Sequence, residues 1–340
     1  MSGTFQAAGG GTSGAQFVDA MQAAADFLGT GAIEINAYET EILDIVRRES
    51  VFRQRIDERP ATGHPHRYFE QLAIGTGAFS DPRNLSPTPS SPTRVERPAM
   101  IKALTNQVNL TLFDVMVTQQ QGIFSGLEAK DIEDCINGII VTAASAYWTG
   151  TDTSLAAPTT MQYMGVLSQV NLQSTIAPGS SIIDGLKNMV ARMMANVVFK
   201  PRPTGIYINP VLGHYLDTEA KATNIQLQTT VVAGVTVSAI NTQAGPLPLI
   251  PDPYLPTATT SGYGFAAPGA GYGNYFAVIT TEKLIERPYI DGGKGNPNPQ
   301  LFRLGLQNTL QGQYVGVQFD TIIVKAPSYA HAVVAVQRPQ

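Results

Sequence analysis

Apolar residues recur most regularly in Ser125–Trp148, SGLEAKDIEDCINGIIVTAASAYW, where Leu127, Ile132, Cys135, Ile136, Ile139, Ile140, Ala143 and Tyr147 fall at three- and four-residue steps. That spacing predicts one helix with a wide apolar stripe. Ser125 as N-cap and Glu128 three places on form a capping box, and Asp131, Glu133 and Asp134 put negative charge where the helix dipole favours it. Thr149, Gly150 and Asp152 close the helix after about 24 residues, or roughly 35 Å at 1.5 Å per residue. It is about twice the usual length, and its acidic residues exclude a membrane span. A long, half-buried rod suits a structural backbone better than a catalytic pocket.

Upstream, Met1–Ala15 is rich in Gly, Ser, Thr and Ala, and it reads as a flexible lead-in. Phe17, Met21, Ala24, Ala25 and Leu28 predict a short amphipathic helix, and Ala37–Glu49 a second; together they read as an arm. Val51–Met100 opens with the mixed-charge cluster Arg53, Arg55, Asp57, Glu58 and Arg59, then a strand over His64–Leu72. Five prolines from Pro82 to Pro98 argue against regular structure in the later part. Alternation around Val108, Leu110 and Leu112 predicts a strand over Thr105–Val117. The region between arm and long helix is therefore expected to be an extended two-stranded excursion, too thin to stand alone in water.

Downstream, Ser180 or Ser181 caps a helix carrying Ile182, Ile183, Leu186, Met189, Val190, Met193, Met194 and Val197, stopped by Lys200, Pro201 and Pro203. Gly205–Asn209 is a short strand, and Pro210 opens a helix through Asp217, a strand-to-helix step of the α/β kind. Two β-rich runs fill Ile225–Ile240. A proline-rich stretch from Pro246 to Pro256 and a Gly/Tyr loop follow, with strands near Tyr275–Ile279, Phe302–Leu306 and Tyr314–Val324.

Composition sharpens this layout. Charged residues are only 14% of the chain against 43% hydrophobic ones, well under the usual quarter or so. Such a neutral surface fits burial between subunits, since interface cores are depleted of charge; a low-charge monomer fits equally. A formal net charge of -4 gives no basis for wrapping nucleic acid. The single Cys135 lies on the apolar stripe and reads as a buried structural thiol. Met1–Gly14 lacks the basic start and apolar core of a signal peptide, so folding in a reducing cytoplasm is expected.

Candidate chemistry is sparse. His64–Pro65–His66 lacks a further ligand at metal-binding spacing, and His214 with Asp217 three places on reads as a helix-surface hydrogen bond. No serine sits in a G-x-S-x-G elbow. The glycines from Gly262 to Gly273 and the DGGKG run Asp291–Gly295 do not join a strand to a helix start, as a phosphate cradle requires. No catalytic, metal or cofactor-binding residue is assigned. The arginines at 53, 55 and 59, interleaved with Asp57 and Glu58, read as a solvated or inter-subunit salt-bridge patch.

The order of parts resembles the major capsid protein of tailed bacteriophages, the Hong Kong 97-type fold. The local echoes are SGLEAKDIEDCINGIIVTAASAYWTGTDT for a spine helix and its exit, MQYMGVLSQV beyond it, GIYINPVLGHYLDTEA, VTVSAINTQAGPLPLIPDPYLP, and QYVGVQFDTIIVKAP. The resemblance implies an α+β chain with an N-terminal arm at 1–49, an extended loop (E-loop) at 50–118, a spine helix and peripheral domain at 119–180, an axial domain at 181–288 and return strands at 289–340. It implies self-assembly into hexamers and pentamers of an icosahedral capsid around double-stranded DNA, without sequence-specific binding, in a virion assembled in the host cytoplasm. Portal, scaffolding and cement proteins are the partners it adds. Arg53, Arg55, Asp57, Glu58, Arg59, Arg67, Tyr68 and Phe69 are then the candidates for inter-subunit contact. No cross-linking Lys–Asn pair stands out and no long scaffolding segment precedes the arm, so any scaffold is expected to be a separate protein. An encapsulin-type shell around cargo enzymes is the nearest alternative; an α/β enzyme is the other, disfavoured by the missing catalytic set.

Overall fold

In the computed structural model the described residues are 50–340, apart from 84, 86–88, 112, 114–115, 118–119, 121–126, 197–198, 224–226, 233–234 and 307–310. The two helices expected in the arm and the Ser125 cap lie outside them.

Two apolar cores share one sheet. The chain runs through α1 (Val51–Arg55), β1 (Asp57–Pro60), β2 (His66–Ala73), β3 (Thr93–Ala99), β4 (Lys102–Thr111) and the long helix α2 (Leu127–Thr149). Then come α3 (Val166–Gln169), β5 (Gln173–Ile176), α4 (Ile182–Met194), β6 (Gly205–Ile208), α5 (Pro210–Ala222), β7 (Gln228–Val232), β8 (Val235–Thr242) and β9 (Gly245–Pro251). It ends with β10 (Thr257–Ala258), β11 (Tyr272–Thr280), β12 (Ile285–Ile290), β13 (Gln300–Leu306), β14 (Gln311–Asp320), β15 (Ile323–Val324) and β16 (Ala332–Pro339). The class is α+β, as the sequence leads one to expect.

The larger sheet has the order β5-β16-β11-β6-β9-β8-β7, with β10 on β11. Its central strands β6, β11 and β16 are buried on both faces, so they read as continuous apolar runs rather than alternations. In β11, Tyr275, Ala277 and Ile279 point into a core with α4 and α5. Phe276 and Val278 point into a second core with Phe52, Tyr147, Trp148 and Leu167. Helix α4 buries Ile182, Ile183, Leu186, Met189, Val190 and Met193 on the first core, roughly 10 kcal/mol of gross hydrophobic stabilisation. Its N-terminus is doubly held: Ser181 Oγ accepts from Asp184 N at 3.1 Å, and Glu219 of α5 accepts from Ile182 N at 2.8 Å and Ser181 Oγ at 2.6 Å.

The second sheet runs β1-β12-β14-β13, with β15 on β12 and β4 on β14. Helix α2 lies on β4 and β14, burying Cys135, Ile139, Ala143, Ala144, Tyr147 and Trp148. Gly316 makes that approach feasible, since a Cβ there would lie 2.7 Å from Ile139 Cδ1. Where the chain leaves α2, Gly165 N donates to Gly150 O at 3.1 Å, and a Cβ on Gly165 would stand 2.4 Å from Trp148 O. This backbone crossing admits no side chain.

Several expectations need correction. The strand expected over Thr105–Val117 is β4, which starts earlier, ends at Thr111 and pairs β14 along its whole length rather than joining the excursion. The stretch expected to lack structure holds β3, paired with β2 despite Pro98; both strands of a two-stranded ribbon are edges, where proline is tolerated. Helix α4 stops at Met194, before Lys200, and α5 continues past Asp217 to Ala222.

The proline run from Pro246 contains β9, between β6 and β8. Residues two apart in a strand share an edge, so Pro246 and Pro248 present their missing donors on the side where β6 pairs only from Leu249 onward. Pro251 faces the other side, beyond the end of β8 pairing at Pro248. Strands β12 and β16 were not anticipated, because ERPYI lacks a clean period and AVVAVQRP is a short apolar run without strand alternation.

Candidate functional site

Strands β2 and β3 form a two-stranded sheet of their own. Along β2 the period-two rule divides the side chains: Tyr68 and Glu70 are buried towards the body, while Arg67, Phe69 and Gln71 are exposed. Phe69 is 69% exposed and Ile74 74%, and Phe79 and Leu85 beyond the strand are likewise open to solvent. Large apolar side chains concentrated on one slender element are a surface awaiting burial.

The root of the ribbon is polar and tightly paired. Glu70 lies 2.6 Å from Arg97 Nε of β3 and accepts from Ala326 N at 3.0 Å. Lys325 Nζ lies 2.5 Å from Glu286 and 5.7 Å from the centroid of the Tyr68 ring. Burial, with the nearby Glu70 charge, pushes the Tyr68 hydroxyl up to about 12. Beneath these groups Tyr68, Ala99 and Ile323 make a small apolar cluster with Leu155.

A second polar assembly is buried except at Glu58 and joins the ribbon's supporting sheet to α2. Asp320 accepts hydrogen bonds from Tyr147 and Tyr163 and from Gln318 Nε2. Arg287 Nη1 lies 3.1 Å from Asp320, and Nη2 binds Glu58 and Pro297 O, the latter at 3.1 Å. Burial raises the pKa of both tyrosines, reinforced by Asp320. Burial works against the Arg287 charge, yet Tyr147, Asp320 and Glu58 hold its pKa above the ordinary value. One cluster thus ties together α2, the turn after it, β1, β12 and β14.

At the exit of α2, Asp152 accepts from Lys102 Nζ at 2.8 Å and from the backbone of Thr153 and Thr159, each at 2.8 Å. Burial opposes the Asp152 charge, but these donors prevail and hold its pKa well below the ordinary carboxylate value. The resulting stabilisation is present above the ordinary carboxylate pKa and disappears as pH falls through the lowered one.

The contact candidates fall into two groups. Arg55 makes a bidentate pair with Glu282 at 2.7 and 2.8 Å, Glu58 serves Arg287, Arg59 lies 3.2 Å from Glu286 and 3.8 Å from Asp57, Tyr68 is buried, and Arg53 is half-buried on α1. Arg55, Glu58 and Arg59 thus pair within the chain, while Asp57 and Arg59 remain more than half exposed. Arg67, 2.7 Å from Glu96 on the ribbon's outer face, and Phe69 are exposed, as are Asp57, Glu58 and Arg59 along β1. Glu70, Arg97, Lys325 and Glu286 escaped sequence reasoning, though Glu70 shares the inward period of Tyr68. His66 is shifted down by burial, and among the described residues no group of three His, Cys, Asp or Glu is placed to hold a metal ion. No described helix is long and apolar enough to cross a membrane.

No family model and no curated protein matches the sequence. Solved structures do match the fold. The capsid of cyanophage P-SCSP1u is 12% identical with a TM-score of 0.59, over 89% of this chain and 93% of that one. The capsid of a native GTA particle is 11% identical with a TM-score of 0.61, over 90% and 96%. The holo-SrpI encapsulin complex of Synechococcus elongatus PCC 7942 is 12% identical with a TM-score of 0.60, over 94% of each. The chain has the Hong Kong 97-type fold, and phage capsids are prominent among its structural neighbours.

Proposed function

We propose that this protein is a shell subunit: it assembles with copies of itself into the hexamers and pentamers of an icosahedral capsid that encloses double-stranded DNA in a virion. The observation that carries the proposal is the conjunction of a capsid-type fold over nearly the whole chain with a ribbon whose outer face exposes Phe69 and whose continuation exposes Ile74 and Phe79. Head-to-tail contacts between such surfaces close into rings and shells. The role is structural rather than enzymatic. Arg67 and Phe69 are the candidates best placed for contact between copies, and portal, scaffolding and cement proteins would be further partners, with assembly in the host cytoplasm.

The encapsulin neighbour favours a second reading, a shell around protein cargo. Expression of the full chain followed by sedimentation and negative-stain microscopy tests the shell itself: closed particles, rings or sheets support it, and a monomer of 36.3 kDa at every concentration refutes it. Particles recovered from infected or lysogenic cells then separate the readings, nuclease-protected DNA supporting the first and co-purifying folded enzyme the second.

A further inference from the structure

The ribbon leaves the body between two cavities. One, of about 480 Å³, opens along β3 beside Thr153 and Leu155. The other, of about 350 Å³, opens along β2 beside Phe199 and Tyr329. Glu70, Arg97, Asn171 and Pro327 border both. Between these spaces the polar grip on the inward face of β2 comes from two successive residues, Lys325 over the Tyr68 ring and Ala326 through its N–H to Glu70, beside the apolar packing of Tyr68 on Ile323 and Leu155.

Ala326 has φ 52, a left-handed conformation that an alanine rarely adopts and that persists only where its surroundings enforce it. The same turn is closed by Tyr329 N and Ala330 N, which donate to Ala326 O at 3.1 and 3.0 Å. Just beyond Glu70 the β2–β3 register shifts between Gln71 and Ala73, an irregularity of the kind that bends a strand. Farther out, the side chains stand in solvent.

We propose that residues 325–326 form a two-point latch that sets the angle at which the ribbon leaves the body. With Glu70 and Tyr68 engaged, the ribbon is held at one inclination; with both released, it pivots at its root, and the flanking cavities supply the room. The latch is electrostatic on one point and a backbone hydrogen bond on the other, so it can open without disturbing either large apolar core, the small Tyr68–Ala99–Ile323 cluster at the root serving as the pivot. It concerns a single chain and stands whether the enclosed material is DNA or protein.

The test uses the full chain in a Cys135→Ser background, with spin labels on Thr76→Cys in the ribbon and Lys221→Cys on α5. Both positions are exposed. Pulsed electron–electron spectroscopy on the unassembled fraction is expected to give one narrow distance distribution with the latch intact. Glu70→Ala with Lys325→Met should shift its mean or at least about double its width, a displacement frozen into the sample's ensemble. Lys325→Met alone, which leaves Glu286 paired with Arg59, is the milder variant and should broaden the distribution less. It decides the question if the double variant does not fold, as read from Trp148 emission. Distributions unchanged in every folded variant would overturn the latch.

Discussion

Replacing Asp320 by Asn keeps its volume and removes its charge, which isolates the electrostatic part of the buried assembly. Asp320 and Arg287 are both fully buried, so neither can recover hydration in place. Breaking one partner out of such a pair costs about 3–5 kcal/mol, because the other charge stays buried and uncompensated. Arg287 keeps Glu58 and Pro297 O, and the Glu58 carboxylate is 31% exposed, so the expected loss lies at the lower end, about 3 kcal/mol. By contrast Tyr163→Phe deletes one donor to a carboxylate that keeps Tyr147, Gln318 and Arg287, and should cost about 1.5 kcal/mol, the low end for a bond to a charged group. Trp148 is the single tryptophan, fully buried and adjacent to Tyr147, so its emission in a urea titration reports on this junction. A drop of about 3 kcal/mol at unchanged slope is expected for Asp320→Asn. A loss no larger than that of Tyr163→Phe would refute the reasoning, since Arg287 would then draw its compensation from elsewhere.

Further outcomes follow from the same structure. Burial pushes His331 down to about 4, against about 6.5 when unfolded, so stability should be full above pH 6.5 and fall by up to about 3 kcal/mol towards pH 4; urea midpoints across that range should flatten in His331→Gln. Glu219→Ala strips the first turn of α4 of its outside acceptor and should cost about 1–3 kcal/mol, seen as faster amide exchange at Ile182 and Ile183. Gly316→Val drives a side chain against Ile139 and should cost about 1–3 kcal/mol by overpacking, measured by thermal denaturation. Phe69→Ser with Phe79→Ser should leave monomer stability within about 0.5 kcal/mol while sharply reducing particle yield; normal yield would mean that these side chains are not buried on assembly.

Local periodicity carried the parts that depend on neighbours in sequence. Helix α2 was legible because its stripe repeats over six turns, and α4 because Ser181 caps it and its apolar positions are unbroken. GIYIN followed by Pro210 announced β6 and α5 for the same reason. The misses have a different origin. Strand β9 is permitted its prolines only by where β6 and β8 begin and end, which no window of sequence contains. Strand β16 has no alternation because both faces meet a core. The second strand of the excursion is β3 rather than β4, since Val108 and Leu110 alternate as well as any ribbon strand and only the long-range pairing with β14 sets β4 apart.

The polar side chains were harder still. Glu70 meets Ala326 from 256 positions away, and Tyr147 meets Asp320 from 173; neither pairing leaves a local signature. The mixed-charge cluster at 53–59 was visible, but its partners Glu282, Glu286 and Arg287 were not. The patch makes ion pairs within the chain, to Glu282, Glu286 and Arg287, while Asp57, Glu58 and Arg59 stay exposed along β1.

The most direct measurement is a cryo-electron microscopy reconstruction of particles formed by the full chain. A closed icosahedral lattice, with the β2–β3 ribbon of one copy covering its exposed phenylalanines against a neighbouring copy, is the expected result. Particles that never close, or a lattice in which Phe69 and Phe79 remain bare to solvent in every copy, would contradict the shell role and the burial that motivates it.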